Sequence, residues 1–384
     1  MSAAAQAPEP APAEGGAVLP GIEAHAHARA VLEPALPPHG SPSHAYLFHG
    51  PAGTGKRAIA RAFAAALLSD GARDPGGVAA RVARDAHPDL TWVVPSGAAE
   101  MLVADVEEPV IAAAARTPFE STRRVFVIED VDTMNDQAAN RMLKTLEEPP
   151  AFAHLLLLTE RREDVLPTIA SRCLQVRFDP LPCELIAERL EGVDGDRALA
   201  CARLAAGDAG LAAWLASAAG AALREAAERF VRSVLAGSTD GLPWLGLLDA
   251  AKDSSARAGE EAQEQLEREL ELVPSRERKR YERESLEARR RGERRARTRT
   301  LDLGLRLAEL WLRDVLCVCE GAPELLLACD RREPLREDAG ERAPGPLREG
   351  IELVGDARLS LSLNVGDELA LEALAYRLSS CLAG

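Results

Sequence analysis

Aromatic residues are scarce in this chain: Phe, Trp and Tyr make up 4% of its 384 residues. A face of stacked aromatic side chains, on which many single-strand nucleic-acid binders lay bases, is therefore not expected. Net positive charge is missing too. There are 46 Lys and Arg against 61 Asp and Glu, a formal net charge of −15. Such a chain does not wrap nucleic acid over its whole surface, so contact with DNA has to be local or made by partners. The cysteines (173, 183, 201, 317, 319, 329 and 381) are odd in number and form no CxxC pair. Every histidine lies at or before His154, so the C-terminal half offers no His/Cys metal cluster. This usage fits a reduced, cytoplasmic protein. No apolar run approaches the ~18 residues of a membrane span. The first residues, MSAAAQAPEPAPAEGG, lack a basic start and an apolar stretch and do not read as a signal peptide. Residues 1–20 read as a disordered Ala/Pro tail.

What is present points to two or three domains, at ~100–200 residues each. From about residue 21 to 180, short β-rich runs alternate with helical stretches. The strand candidates are Ala45–His49, Leu90–Val94, Arg124–Glu129, His154–Thr159 and Leu174–Phe178. Several are almost continuously apolar, the mark of strands covered on both faces. In the helix candidate Lys56–Leu68, Ile59, Phe63 and Leu67 recur four apart. The fold class is α/β, a parallel sheet sandwiched by helices. After Pro180-Leu181-Pro182 the texture becomes Ala/Leu/Arg/Glu-rich. Residues 181–237 read as a small helical domain of about three helices, and 238–384 as a second all-helical domain. A Gly/Ser/Asp/Pro patch near Gly237–Pro243 separates them. Residues 251–300 are strongly charged, with twelve Arg/Lys and five Glu in Arg276–Thr300.

The strongest motif is Gly50-Pro51-Ala52-Gly53-Thr54-Gly55-Lys56, which follows a predicted strand and opens a predicted helix. Its glycines let the backbone turn N–H groups toward phosphate oxygens. The helix N-terminus adds a favourable dipole, and Lys56 adds a point charge at the β/γ-phosphates. The residue after the lysine is normally Ser or Thr, which places a hydroxyl on Mg²⁺. Arg57 stands there and cannot ligate a cation. The motif is compatible with binding ATP, Mg²⁺ positioning is in question, and no metal ligand is assigned.

The apolar strand Val125–Ile128 runs into Glu129-Asp130. Acids at such a strand end hold Mg²⁺ and polarise the attacking water, usually in the order Asp then Glu. Here Glu129 occupies the metal position and Asp130 the base position. Each reach is wrong by one methylene, and a ~1 Å misplacement can cost about 10²-fold in rate. The alternative is two solvated acids. Thr159, closing its strand, reads either as a sensor of the γ-phosphate or as a structural threonine. Arg172, in Ser171-Arg172-Cys173, reads either as an arginine finger for a neighbouring subunit's phosphate or as a surface salt bridge.

Together these residues resemble the clamp-loader family of AAA+ proteins. The resemblance is carried by Ser43–Gly50, His87–Leu90, Arg123–Asp130, Ala138–Pro150 and Leu166–Cys173. The blocks Leu143-Lys-Thr-Leu-Glu-Glu-Pro-Pro150 and Ser171-Arg-Cys173 are its most specific parts. It is strong from about residue 21 to 182, closest to the delta-prime type, and looser over Arg294–Asp314 and Asn364–Leu371. It implies a RecA-like nucleotide-binding core, a helical lid (181–237) and a helical collar for oligomerisation (238–384). It also implies a stator of the bacterial DNA polymerase III clamp loader. Such a subunit assembles with gamma/tau and delta subunits, lends Arg172 to a neighbour's site, and helps load the sliding clamp onto primed DNA. Weak or no ATPase of its own is expected. The alternative is an ATP-hydrolysing gamma/tau-type motor subunit or another AAA+ ATPase.

Departures from the family sharpen this. Members often carry a four-cysteine zinc module where this chain has Ser69–Ala86, which lacks cysteine. No zinc is expected, and a Gly/Arg-rich loop is expected instead. The lid stretch Gly207–Ala212 lacks the arginine of hydrolysing subunits. With Arg57 and the swapped acids, three elements favour binding without efficient turnover. The basic run Arg276–Arg299 reads either as a surface for DNA phosphates or an acidic partner, or as a solvated helix with Glu–Arg pairs. Cys317 and Cys319 read as small core residues.

Overall fold

In the computed structural model of the chain, the residues described are 19–38, 40–95, 100–270, 278–362 and 366–382. The tail 1–18, Arg276, Asn364 and Val365 lie outside them. The chain divides into two compact units between Asp179 and Pro180.

The first unit holds five strands: β1 (Ala45–His49), β2 (Leu90–Val93), β3 (Arg124–Ile128), β4 (Ala153–Thr159) and β5 (Leu174–Arg177). They form one parallel sheet in the order β2-β3-β4-β1-β5. Its helices are α1 (Ala26–Leu32), α2 (Lys56–Leu68), α3 (Pro75–Ala83), α4 (Val103–Val106), α5 (Asp136–Glu147) and α6 (Pro167–Ala170). Successive strand residues face opposite sides of a sheet. Tyr46, Phe48, Val125, Val127, Leu156 and Leu158 pack with α1, α2 and α3 on one face. Leu47, Phe126, Ile128, Leu155 and Leu157 pack with α5 and α6 on the other. Both faces are thus dry, which is why these strands read as apolar runs rather than alternations. Truncating Phe126 to Ala would cost about 3–5 kcal/mol.

One expectation fails here. The stretch 69–86 is not simply a loop: it contains α3. Asp74 caps that helix by accepting from Gly77 N at 2.9 Å, Pro75 opens it, and Val78 and Val82, four apart, are buried.

The second unit is helical: α7 (Cys183–Glu188), α8 (Gly195–Leu204), α9 (Ala209–Ala216), α10 (Ala218–Leu235), α11 (Leu245–Leu270), α12 (Arg278–Cys319), α13 (Arg332–Ala339), α14 (Pro344–Ser362) and α15 (Asp367–Leu382). Helix α12 is its spine and packs on α10, α11, α13 and α14. Helices α11 and α12 form an antiparallel hairpin, with Gly304 against Leu247 and Gln263 bonded to Arg289 at 3.0 Å. Intrahelical pairs stud its charged part, Arg289–Glu293 at 3.3 Å and Arg268–Glu264 at 3.6 Å. Cys317 and Cys319 are only half-buried. They sit in the last turn of α12, while Leu305, Leu312 and Val315 supply its core face.

Candidate functional site

In an open parallel sheet, ligands bind at the C-terminal ends of the strands. There, β1, β4 and β3 lie side by side, and they deliver the loop 50–56, Thr159 and Glu129-Asp130 to one edge. The loop's glycines are required by its path. A Cβ on Gly50 would collide with the Phe178 carbonyl, and Gly55 at φ 86° turns the chain into α2. Gly55 has no side chain with which to cap α2, so an anion can satisfy the helix's first N–H groups. Thr54 Oγ1 donates to the Pro51 carbonyl at 3.0 Å. Lys56 is buried, and its Nζ donates to the carbonyls of Gly50 at 2.7 Å and Pro51 at 2.6 Å. The loop therefore holds its own cation in place at the helix start, and these residues fit a polyphosphate.

Mg²⁺ does not fit in the same way. The Arg57 guanidinium pairs with Glu129 Oε2, and the Trp92 indole N–H donates to Glu129 Oε1 at 2.7 Å. Of the acid in the metal position, Oε1 thus accepts from an indole N–H and Oε2 faces a guanidinium. The Glu129 side chain is 5% exposed and that of Arg57 67%. Burial pushes the Glu129 carboxyl above the ordinary 4.5, while Trp92 and Arg57 draw it down. Asp130 is turned into the left-handed region at φ 48°, and its carbonyl accepts from Thr133 N at 2.9 Å and Thr133 Oγ1 at 2.7 Å. Thr159, fully buried, donates its only hydroxyl proton to Asp132 Oδ1 at 2.7 Å and accepts from Arg161 N at 3.0 Å. Arg161 Nη2 also holds Asp132, at 2.9 Å.

Arg172 lies at the other end of the sheet. It precedes β5, whose Leu174 pairs with Tyr46 at the start of β1. The strand β1 between Arg172 and the phosphate loop runs for about 17 Å, at ~3.3 Å per residue. Arg172 therefore does not join the pocket of its own chain. Its Nη2 donates to Glu147 Oε1 at 2.5 Å and its Nη1 to the Thr168 carbonyl at 2.8 Å. His44, Leu146 and Ser171 complete an open hollow around it. Burial pushes the neighbouring Cys173 thiol up to about 12, so that sulfur is packing rather than a nucleophile.

Sequence reasoning missed the partners that hold these groups: Trp92, Asp132 and Glu147. Glu147 had a signal, being the first acid of the Leu-Glu-Glu-Pro-Pro block. The His87-Pro-Asp89 motif is structural. Asp89, fully buried, accepts from the backbone N–H of Phe119, Glu120 and Ser121 at 2.5–2.9 Å and pins that loop. His87 Nε2 lies 3.0 Å from Glu120, and burial lowers the His87 pKa.

Comparison with known proteins follows the same boundary. The family described as DNA polymerase III, delta subunit matches residues 30–182. The subunit delta' of Pseudomonas aeruginosa is 38% identical over 36% of this chain and 44% of its own length. The subunit delta' of Bacillus subtilis is 35% identical over 38% of this chain and 46% of its own. The subunit tau of Bacillus subtilis is 31% identical over 39% of this chain and 27% of its own. The chain thus spans under half the length of these relatives. The family model's match lies over the unit that carries the phosphate loop and Arg172, and the chain is similar to subunits named delta' of DNA polymerase III.

Proposed function

We propose that the chain is a clamp-loader stator: it binds a nucleotide of the ATP class, hydrolyses it weakly or not at all, and lends Arg172 to a neighbouring motor subunit. The observation that carries this reading is the Arg57–Glu129 ion pair beside an otherwise complete phosphate loop. It takes the acid that would hold Mg²⁺ out of use while leaving Gly50–Lys56 intact. The second support is the position of Arg172 at the sheet edge opposite its own pocket. Such a guanidinium in trans is worth roughly 10³–10⁵ in hydrolysis rate.

In this reading residues 181–237 form a lid and 238–384 a collar for assembly. The partners are gamma/tau and delta subunits, with the sliding clamp and primed DNA reached through the assembly in the cytoplasm. The competing reading is a gamma/tau-type motor subunit, and the match to a tau subunit keeps it in view. Arg57 disfavours it, because a motor needs a hydroxyl there. Mixing the purified chain with gamma/tau and delta subunits and resolving complexes by light scattering tests the proposal. A defined hetero-oligomer is the expected result. A chain that ignores these partners and closes into rings by itself would refute it.

A further inference from the structure

The disagreement between this pocket and a divalent cation extends the stator reading, on which it rests. We propose that the Arg57 guanidinium takes the place of Mg²⁺, so that the chain binds its nucleoside polyphosphate free of metal, with Arg57 bridging the phosphates and Glu129.

In a phosphate loop the residue after the lysine and the acid at the end of a nearby strand approach the same cation from two sides. Here those two positions are Arg57 and Glu129, and their side chains meet each other. A cation would have to expel a guanidinium from a nearly buried carboxylate whose other oxygen is already held by Trp92 at 2.7 Å. Trp92 is itself fixed from behind. Arg61 stacks over its ring at 4.3 Å and donates to the Val82 carbonyl at 2.9 Å. The carboxylate is therefore positioned for Arg57 by a layer with no tie to nucleotide.

The guanidinium is suited to the task. It has five N–H donors in a planar fork, and pairing with Glu129 leaves others over. The Arg57 side chain is 67% exposed, so those donors are accessible to a ligand. Arginine and phosphate pair bidentately, with a strength beyond that of a neutral hydrogen bond. Lys56 and the uncapped start of α2 add to the positive field. One point charge and one fork thus face the polyphosphate where a motor presents one lysine and one divalent ion. A guanidinium carries positive charge to the phosphates but does not coordinate and orient them as a divalent ion does, which is consistent with binding without cutting.

The test is equilibrium titration of the full chain with a fluorescent ADP analogue, in EDTA and in excess Mg²⁺. The expected result is tight binding in EDTA, weakened about tenfold by Mg²⁺, the scale of one displaced charge-assisted contact. Arg57→Ser is expected to invert the order: weak binding in EDTA, recovered with Mg²⁺. Lys56→Ala should abolish binding in both solutions. Wild-type binding that is equal or tighter with Mg²⁺ overturns the inference and leaves the nucleotide reading standing. No wild-type binding in either solution overturns the nucleotide reading itself. The wild-type comparison decides the matter even if Arg57→Ser fails to fold.

Discussion

Two arginines define this protein, each held by a glutamate, and they differ in what holds them. At the pocket, Arg57 is paired with a Glu129 that is 5% exposed and braced by Trp92. At the rim, Arg172 is paired with a Glu147 that is 48% exposed. Breaking the first pair strands a buried carboxylate, whereas an exposed pair of the second kind is worth about 0–1 kcal/mol. The pocket arginine is therefore a fixture and the rim arginine is releasable. In the proposed assembly Arg172 could be released to a neighbour's phosphate at little cost, while Glu129 keeps Arg57 where it is.

The largest effect in this comparison belongs to Arg172. If Arg172 acts in trans as proposed, Arg172→Ala should lower turnover at the neighbouring site by about 10³-fold. The readout is clamp- and DNA-stimulated ATP hydrolysis by the reconstituted assembly, with the melting curve of the free chain unchanged. Unaltered stimulation would remove the assignment in trans. Next comes Asp89, a buried carboxylate held by backbone N–H groups rather than by arginine. Asp89→Ala leaves three donors unpaired and should cost about 3 kcal/mol in denaturant unfolding. A loss near zero would break the claim that burial of the carboxylate sets the cost.

Arg57→Ala should be milder, about 1–2 kcal/mol at neutral pH. This effect depends on pH, with a definite sign. Because the folded pKa of Glu129 is raised above 4.5, the folded state binds more protons in the window above that value, and stability falls as pH rises through it. Removing Arg57 raises the pKa further, so the variant should regain stability on acidification. Glu129→Gln should flatten the difference in melts recorded across that window. The smallest effect is expected of Glu147→Gln: less than about 1 kcal/mol in unfolding, with the stimulated hydrolysis of the assembly retained. A large loss there would show that the rim arginine is a fixture too.

Much of this was legible in the sequence. The helix Lys56–Leu68 has its predicted bounds, and β1 matches as well. Continuous apolar runs bounded by turn residues leave little freedom when both sheet faces are covered. The candidate site was legible as a list of residues but not as pairings. Arg57 and Glu129 are far apart in sequence and meet only because β4 alone separates β3 from β1 in the sheet. In sequence they are two separate impairments; in space they are one ion pair. The helix α3 was hidden by its glycines, which are poor helix formers, and it exists because Asp74 caps it and Val78 and Val82 bury. Tertiary burial decided there against local propensity.

The most direct test of the account is ATP hydrolysis by the purified chain alone with Mg²⁺, beside its Lys56→Ala variant. Equal, near-background rates are expected for the two. Vigorous turnover that disappears with Lys56 would contradict it, because a pocket whose metal-side carboxylate is locked to Arg57 could not be a working motor.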